Sequence, residues 1–390
     1  AAEACTGKPT AILAKTFKGA GVDFLQDKDG WHGKPVPKED LDKALAQLDL
    51  VESVDTSVKP KREGAPAIPR EAAERLGPPA YTKGEKVATR AAYGKALARL
   101  GAVDPRVVGL DGDTKNSTYS QDFMKAFPER FFECFIAEQN LVGVAVGLGS
   151  QGKVPFASSF AAFFTRAYDQ IRMSAVSFAN VKIAGSHAGI SIGEDGPSQM
   201  ALEDLAAFRA IPRATVLYPS DAVSTEWAVK LAAENHGVFF IRTSRPATPV
   251  IYDNAEPFAI GQAKVVRQSD NDKVTLIGAG VTLFEALKAA DALAAEGIAA
   301  RVIDVFSVKP LDEATIRAAA AATGGRVVTV EDHYHEGGIG EAVAAALSGT
   351  GATVKRLAVN DVPRSGPSAA LMAMFGIDAD AVVSAAKSLL

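Results

Sequence analysis

Phe131-Phe132-Glu133-Cys134-Phe135-Ile136-Ala137-Glu138-Gln139-Asn140 decides how the chain folds. Its first seven residues read as a strand over 131–137, and they run without a turn into a helix expected over 140–149. An apolar strand feeding directly into a helix is the repeating unit of a parallel sheet covered on both faces. Ligands of such sheets lie beyond the carboxyl ends of the strands. Glu138 falls at that edge, where a carboxylate is out of place unless it caps a helix or meets a ligand. Taken alone, capping explains it as well as catalysis does.

The same alternation extends both ways. Upstream stand a helix over 89–100 and a strand over 107–110. Downstream follow strand 154–158, helix 161–179, strand 181–184, helix 201–209, strand 215–218, helix 223–234 and strand 238–242. After a stretch with three prolines, Pro246 to Pro257, it restarts with strand 274–277, helix 283–296, strand 300–305, helix 312–322, strand 327–330, helix 340–347 and strand 354–358, and a last helix covers 379–389. Thr282 and Glu285 have the spacing of a capping box at the first of these helices. The expected fold class is therefore α/β, with two doubly wound sheet domains over 83–246 and 258–390.

The N-terminal region departs from this pattern. Residues 9–17 read as one apolar strand, and a lone strand buries neither face, so 1–36 are expected to be the remnant of a third domain. Residues 37–82 are rich in Pro, Lys and Glu and read as a linker, broken by a short amphipathic piece over 39–50.

Lys and Arg total 42 against 46 Asp and Glu, so no global positive field favours nucleic acid or an anionic membrane surface. Cys5 and Cys134 are far apart and outside any CxxC, which suggests neither a disulfide framework nor a zinc site. No apolar run of membrane-spanning length stands out. A cytoplasmic location is expected.

Ser159-Phe160-Ala161-Ala162-Phe163-Phe164 lies at the next strand-to-helix turn. Phe160 and Phe163 share a helical face, and a flat ring could lie against them, although core packing is the ordinary use of such residues. Their pairing with Glu138 points to a planar, protonatable ring. Residues 184–199 are rich in Gly and carry His187, Glu194, Asp195 and Gln199, a composition suited to a substrate loop. Arg90, Ser117 and Arg242-Thr243-Ser244-Arg245 offer groups suited to phosphate. Asp111 to Asn116 begins like a calcium loop but lacks the required Gly and ligands, Gly278-Ala279-Gly280 is a weak dinucleotide match, and Glu331 to Glu336 read as a polar strand end rather than a metal site.

Taken together, Lys15 to Gly19, Trp31 to Lys34, Asp111 to Ser117, Ile136 to Asn140, Gly193 to Gln199 and Phe240 to Pro246 resemble transketolase, closer to its animal-like form. The resemblance implies a pyrimidine-binding domain followed by a transketolase C-terminal domain. It implies transfer of a two-carbon ketol unit from xylulose 5-phosphate to ribose 5-phosphate or erythrose 4-phosphate, in the pentose phosphate pathway, with thiamine diphosphate and Mg2+. Glu138 would meet the aminopyrimidine ring nitrogen, with His187 and His32 completing the catalytic set. Phe163, Phe160, Asp113, Lys18, His32 and Gln199 would also face the cofactor, and Arg90, Ser117, His187, Asp195, Arg245 and His32 the sugar phosphate. The family's GDG motif and distant Asn, which hold the metal and diphosphate, are not found in this chain. It is therefore expected to be inactive alone, and to act as a homodimer or with a separate chain carrying the diphosphate-binding domain. The alternatives are dihydroxyacetone synthase, deoxyxylulose-phosphate synthase, or a non-catalytic interaction protein derived from such an enzyme.

Overall fold

The structure is a computed structural model that describes residues 4–8, 10–31, 33–49 and 76–390. The chain divides into two compact units, Ala1–Pro66 and Ala67–Leu390.

In the first unit, a helix spans Lys38–Leu45, within the amphipathic piece expected over 39–50. Phe24 meets Trp31 edge to face with centroids 6.2 Å apart, and the Lys43 ammonium lies 4.7 Å from the Phe24 ring centre. The strand expected over 9–17 is not found over 10–17, and Pro9 lies outside the described residues. Ile12 and Leu13 are 78% and 97% exposed. Strand geometry persists only where a neighbouring backbone accepts and donates the ladder bonds, and the described residues of this unit hold no second strand.

The second unit carries two main sheets. The larger runs in the order Ser307–Lys309, Thr215–Leu217, Val238–Arg242, Val181–Ser186, Val154–Phe160, Val107–Asp111, Phe131–Glu133, and every neighbouring pair is parallel except the first. The smaller runs Thr353–Val359, Arg326–Tyr334, Val274–Gly278, Ala300–Asp304, Lys264–Arg267, with only the last pair antiparallel. Lys86–Ala88 and Ala247–Pro249 form a separate antiparallel pair. Central strands such as Val107–Asp111 and Val238–Arg242 are buried along their whole length, as a sheet with helices on both faces requires. The two α/β domains expected from the alternation are present. Ser307–Lys309, unmarked by periodicity, leaves the second domain's sheet to edge the first.

Three local expectations are corrected. The strand beginning at Phe131 stops at Glu133, because Phe135 turns into the left-handed region at φ 54° and the Glu133 carboxylate accepts its N–H. The helix over 161–179 is a 3-10 segment, Ala161–Ala167, followed by an α-helix, Tyr168–Val176. The capping box does not form. Helix Val281–Ala295 starts after Gly280, the Thr282 hydroxyl donates to the carbonyls of Ala279 and Val330, and Glu285 instead accepts the Ala379 N–H. Gly280 is required there: at φ +57°, its Cβ would sit 2.1 Å from the Tyr218 ring.

Contrary to the sequence expectation, Ser368–Lys387 is long and apolar enough to cross a membrane by length and composition. In the fold it is two short helices, Ser368–Met374 and Ala379–Lys387, separated at Gly376 with φ +64° and restarted by the Asp378 cap. Its Leu371, Ile377, Val382 and Ala386 belong to the core of the second domain.

Candidate active site

The carboxyl ends of the parallel strands set the site. Sheet register puts Phe160 opposite Ser186, so the next residue, His187, arrives over the Phe160 ring. The two rings stack with centroids 3.9 Å apart and planes 16° from parallel, and Phe160 in turn stacks on Phe163 at 5.1 Å and 17°. A 3-10 helix has three residues per turn and eclipses positions i and i+3. Arg166 therefore continues the line of Phe163, and its Nη1 donates to the Glu138 carboxylate at 2.9 Å. Glu138 is 2% exposed and opens helix Glu138–Ser150. A carboxylate in the first turn also suits the helix dipole.

A polar cluster faces the other side of His187. Arg90, at the start of helix Thr89–Val103, donates from Nη1 to the Ser117 carbonyl at 2.9 Å, and the same atom lies 3.4 Å from His187 Nε2. The guanidinium lies 5.3 Å from the Tyr119 ring centre. Arginine only donates, so His187 Nε2 accepts and Nδ1 keeps the proton, donating to Ser186 Oγ at 2.9 Å. Burial, with help from the Arg90 and Arg245 charges, lowers the His187 pKa to about 3. The imidazole is neutral at physiological pH. Asp195 Oδ2 stands 4.0 Å from His187 Nε2 and accepts from Arg245 Nη1 at 3.3 Å; that nitrogen also reaches Glu194 at 3.2 Å and the Ile192 carbonyl at 2.8 Å. Two guanidiniums, a neutral imidazole and a carboxylate thus converge beside a half-buried aromatic stack, a set able to bind an anion and hydroxyl groups together.

The family model "Transketolase, pyrimidine binding domain" matches residues 85–250, and "Transketolase, C-terminal domain" matches 261–382. A solved structure described as a split-gene transketolase, inactive beta4 tetramer, is 45% identical with a TM-score of 0.72, covering 78% of this chain and 98% of that one. The chain belongs to the transketolase family. Mouse transketolase is 56% identical over 388 residues, which is 98% of this chain and 62% of the mouse protein. The chain thus spans less than two thirds of that relative's length. Transketolase from Campylobacter jejuni shares the fold at 22% identity, with a TM-score of 0.70 over 80% of this chain and 48% of that one.

Of the residues assigned by resemblance to transketolase, the structure gathers Arg90, Ser117, Phe160, Phe163, His187, Asp195 and Arg245, with Ser117 taking part through its carbonyl. Glu138 joins through Arg166. Asp113 occupies a left-handed turn at φ 66° after strand Val107–Asp111 and gives its N–H to Glu133. Gln199 lies further along the loop of Asp195, where its amide oxygen accepts from Ser198 at 2.5 Å. Lys18 lies in the first unit, where its carbonyl accepts the Asp27 N–H at 2.9 Å, and His32 lies outside the described residues.

Arg242, grouped with Arg245 as a phosphate ligand by sequence, is fully buried and forks onto Asp204 at 2.7 and 3.0 Å. It anchors the fold. Asp111 also serves the fold: it accepts from Thr114, Thr118 and Ser120, and burial raises its pKa to about 6. Among the described residues no cluster of His, Cys, Asp and Glu is arranged to hold a metal. Sequence reasoning missed Arg166, Tyr119 and Ser186. The three-residue step from Phe163 was the available signal for Arg166.

A flat heteroaromatic ring fits what is present. Phe160 and Phe163 are half-buried, Glu138 offers a buried carboxylate, and the Ser159 hydroxyl between these strands and turns is buried with no hydrogen-bond partner.

Proposed function

We propose that this chain binds the aminopyrimidine ring of thiamine diphosphate and the phosphorylated sugar for a transketolase. The complete enzyme moves a two-carbon ketol unit from xylulose 5-phosphate to ribose 5-phosphate or erythrose 4-phosphate. The alignment of His187, Phe160 and Phe163 with the Arg166/Glu138 pair carries this reading, because it sets a buried carboxyl group and an anion-binding cluster at the two ends of one aromatic stack.

When bound, thiamine diphosphate with its magnesium supplies a carbon nucleophile for the ketose carbonyl. Phe163 gives the ring an apolar face, with Phe160 stacked behind it. Glu138 would hydrogen-bond a ring nitrogen and exchange a proton with it. Arg90 and Arg245 take the sugar phosphate, and Ser117 borders that site. Neutral His187 and Asp195 bond sugar hydroxyls, while Gln199 and Asp113 edge the cofactor. Lys18 and His32 are assigned to the cofactor and substrate by the family resemblance alone.

In this reading, residues 83–246 are the ring-binding domain, 258–390 the C-terminal domain, 37–82 a linker, and 1–36 part of the diphosphate-binding domain. A diphosphate-binding domain acting with these residues would complete the site. The inactive beta tetramer of the split-gene relative supports the view that the ring-binding part alone does not turn over. The expected setting is the cytoplasm and the pentose phosphate pathway. The test is ketol transfer from xylulose 5-phosphate to ribose 5-phosphate by the intact gene product, with any separately encoded diphosphate-binding chain, thiamine diphosphate and Mg2+. Formation of a seven-carbon ketose phosphate supports the reading; its absence with those components present rejects it.

A further inference from the structure

The loop that carries His187 and Asp195 is held from the second domain. Two residues beyond His187, Gly189 sits at φ +85°, and a Cβ there would lie 2.1 Å from the Asp332 carboxylate. That carboxylate accepts the Ile190 N–H at 2.6 Å on one oxygen and the Ser191 N–H at 3.1 Å on the other. Ile190–Ile192 is a short 3-10 turn, and a carboxylate taking its first two donors fixes the turn's direction. Asp332 is itself immobilised. It is fully buried, its carbonyl accepts from Arg242 Nη2 at 2.9 Å, and Tyr334 N–H bonds the Leu202 carbonyl at the loop's return.

We propose that Asp332, a C-terminal-domain residue, is a positioning residue for the substrate loop, setting His187 and Asp195 through the Ile190 and Ser191 amides. The inference rests on the transketolase reading for its kinetic consequence. The adjacent Glu331 provides a matched comparison, because it is equally buried and also accepts two amides, those of Ile339 and Gly340. Those amides begin helix Ile339–Ala346 of its own domain and lead nowhere near the loop by sequence.

The test uses the intact enzyme. Asp332→Asn is expected to raise KM for xylulose 5-phosphate about tenfold with kcat within about twofold, and to speed amide exchange at Ile190 and Ser191. Glu331→Gln should leave both unchanged. Unchanged KM or exchange in folded Asp332→Asn overturns the proposal, as does an equal KM rise in Glu331→Gln. If Asp332→Asn does not fold, Gly189→Ala disturbs the same contact from the loop side and must give the same two changes. If wild-type enzyme shows no ketol transfer, the transketolase reading fails, while loop exchange still decides whether Asp332 holds the loop.

Discussion

Arg166 is the ion-pair partner of Glu138, at 2.9 Å, and the two differ sharply in setting: the carboxylate is buried, whereas the arginine side chain is 60% exposed. The charge of Glu138 is thus balanced by a group that stands in water. Exposure screens the attraction, so Arg166→Gln should lower stability by only about 1 kcal/mol. Denaturant titration reads this as a lower midpoint with an unchanged slope. An unchanged midpoint contradicts the pairing.

His187 should not titrate across the neutral range. Its folded pKa is about 3 against 6.5 for an ordinary imidazole. Between those values the unfolded state binds more protons, so stability rises with pH. The contribution is fully present above about pH 6.5 and is lost as pH falls toward about 3. NMR should show a flat His187 ring shift from about pH 5 to 8, and His187→Gln should flatten the acid limb of the stability profile. A ring shift with a midpoint near pH 6.5 contradicts this environment.

Arg245→Ala removes a guanidinium from the anion cluster while leaving Arg90 in place. KM for xylulose 5-phosphate should rise about 10- to 100-fold, the value of a charge-assisted bond. KM for a ketose without phosphate should change little. Equal effects on both substrates contradict a phosphate role.

Gly280→Ala tests how the two domains of the second unit meet. Its Cβ would strike the Tyr218 ring in a left-handed conformation, so destabilisation should exceed about 2 kcal/mol. A thermal midpoint equal to wild type contradicts that contact.

What the sequence revealed follows the range of each signal. Periodicity is local, and it located nearly every long strand and helix, because fully buried runs such as Val238–Arg242 have no other use. It missed what distant partners decide. Lys264–Arg267 and Ser307–Lys309 are strands only through the neighbours that receive them, and residues 10–17 lack such a neighbour among the described residues of their unit. In the site, residue type and spacing brought out Phe160, Phe163 and His187 and grouped Arg242 with Arg245, and only the resemblance picked Arg245 alone. Only Asp204, thirty-eight residues away, makes one structural and leaves the other at the loop. Thr282 and Glu285 matched a capping box, yet both found bonds elsewhere.

Glu138 is the residue proposed to exchange a proton with the cofactor ring in ketol transfer. Its most direct test compares wild-type and Glu138→Ala enzyme, each with its diphosphate-binding partner region, in transfer from xylulose 5-phosphate to ribose 5-phosphate. Transfer by wild type is expected, with a loss of at least about a hundredfold in kcat for the variant and circular dichroism unchanged. Near-wild-type turnover in a folded Glu138→Ala enzyme would contradict it.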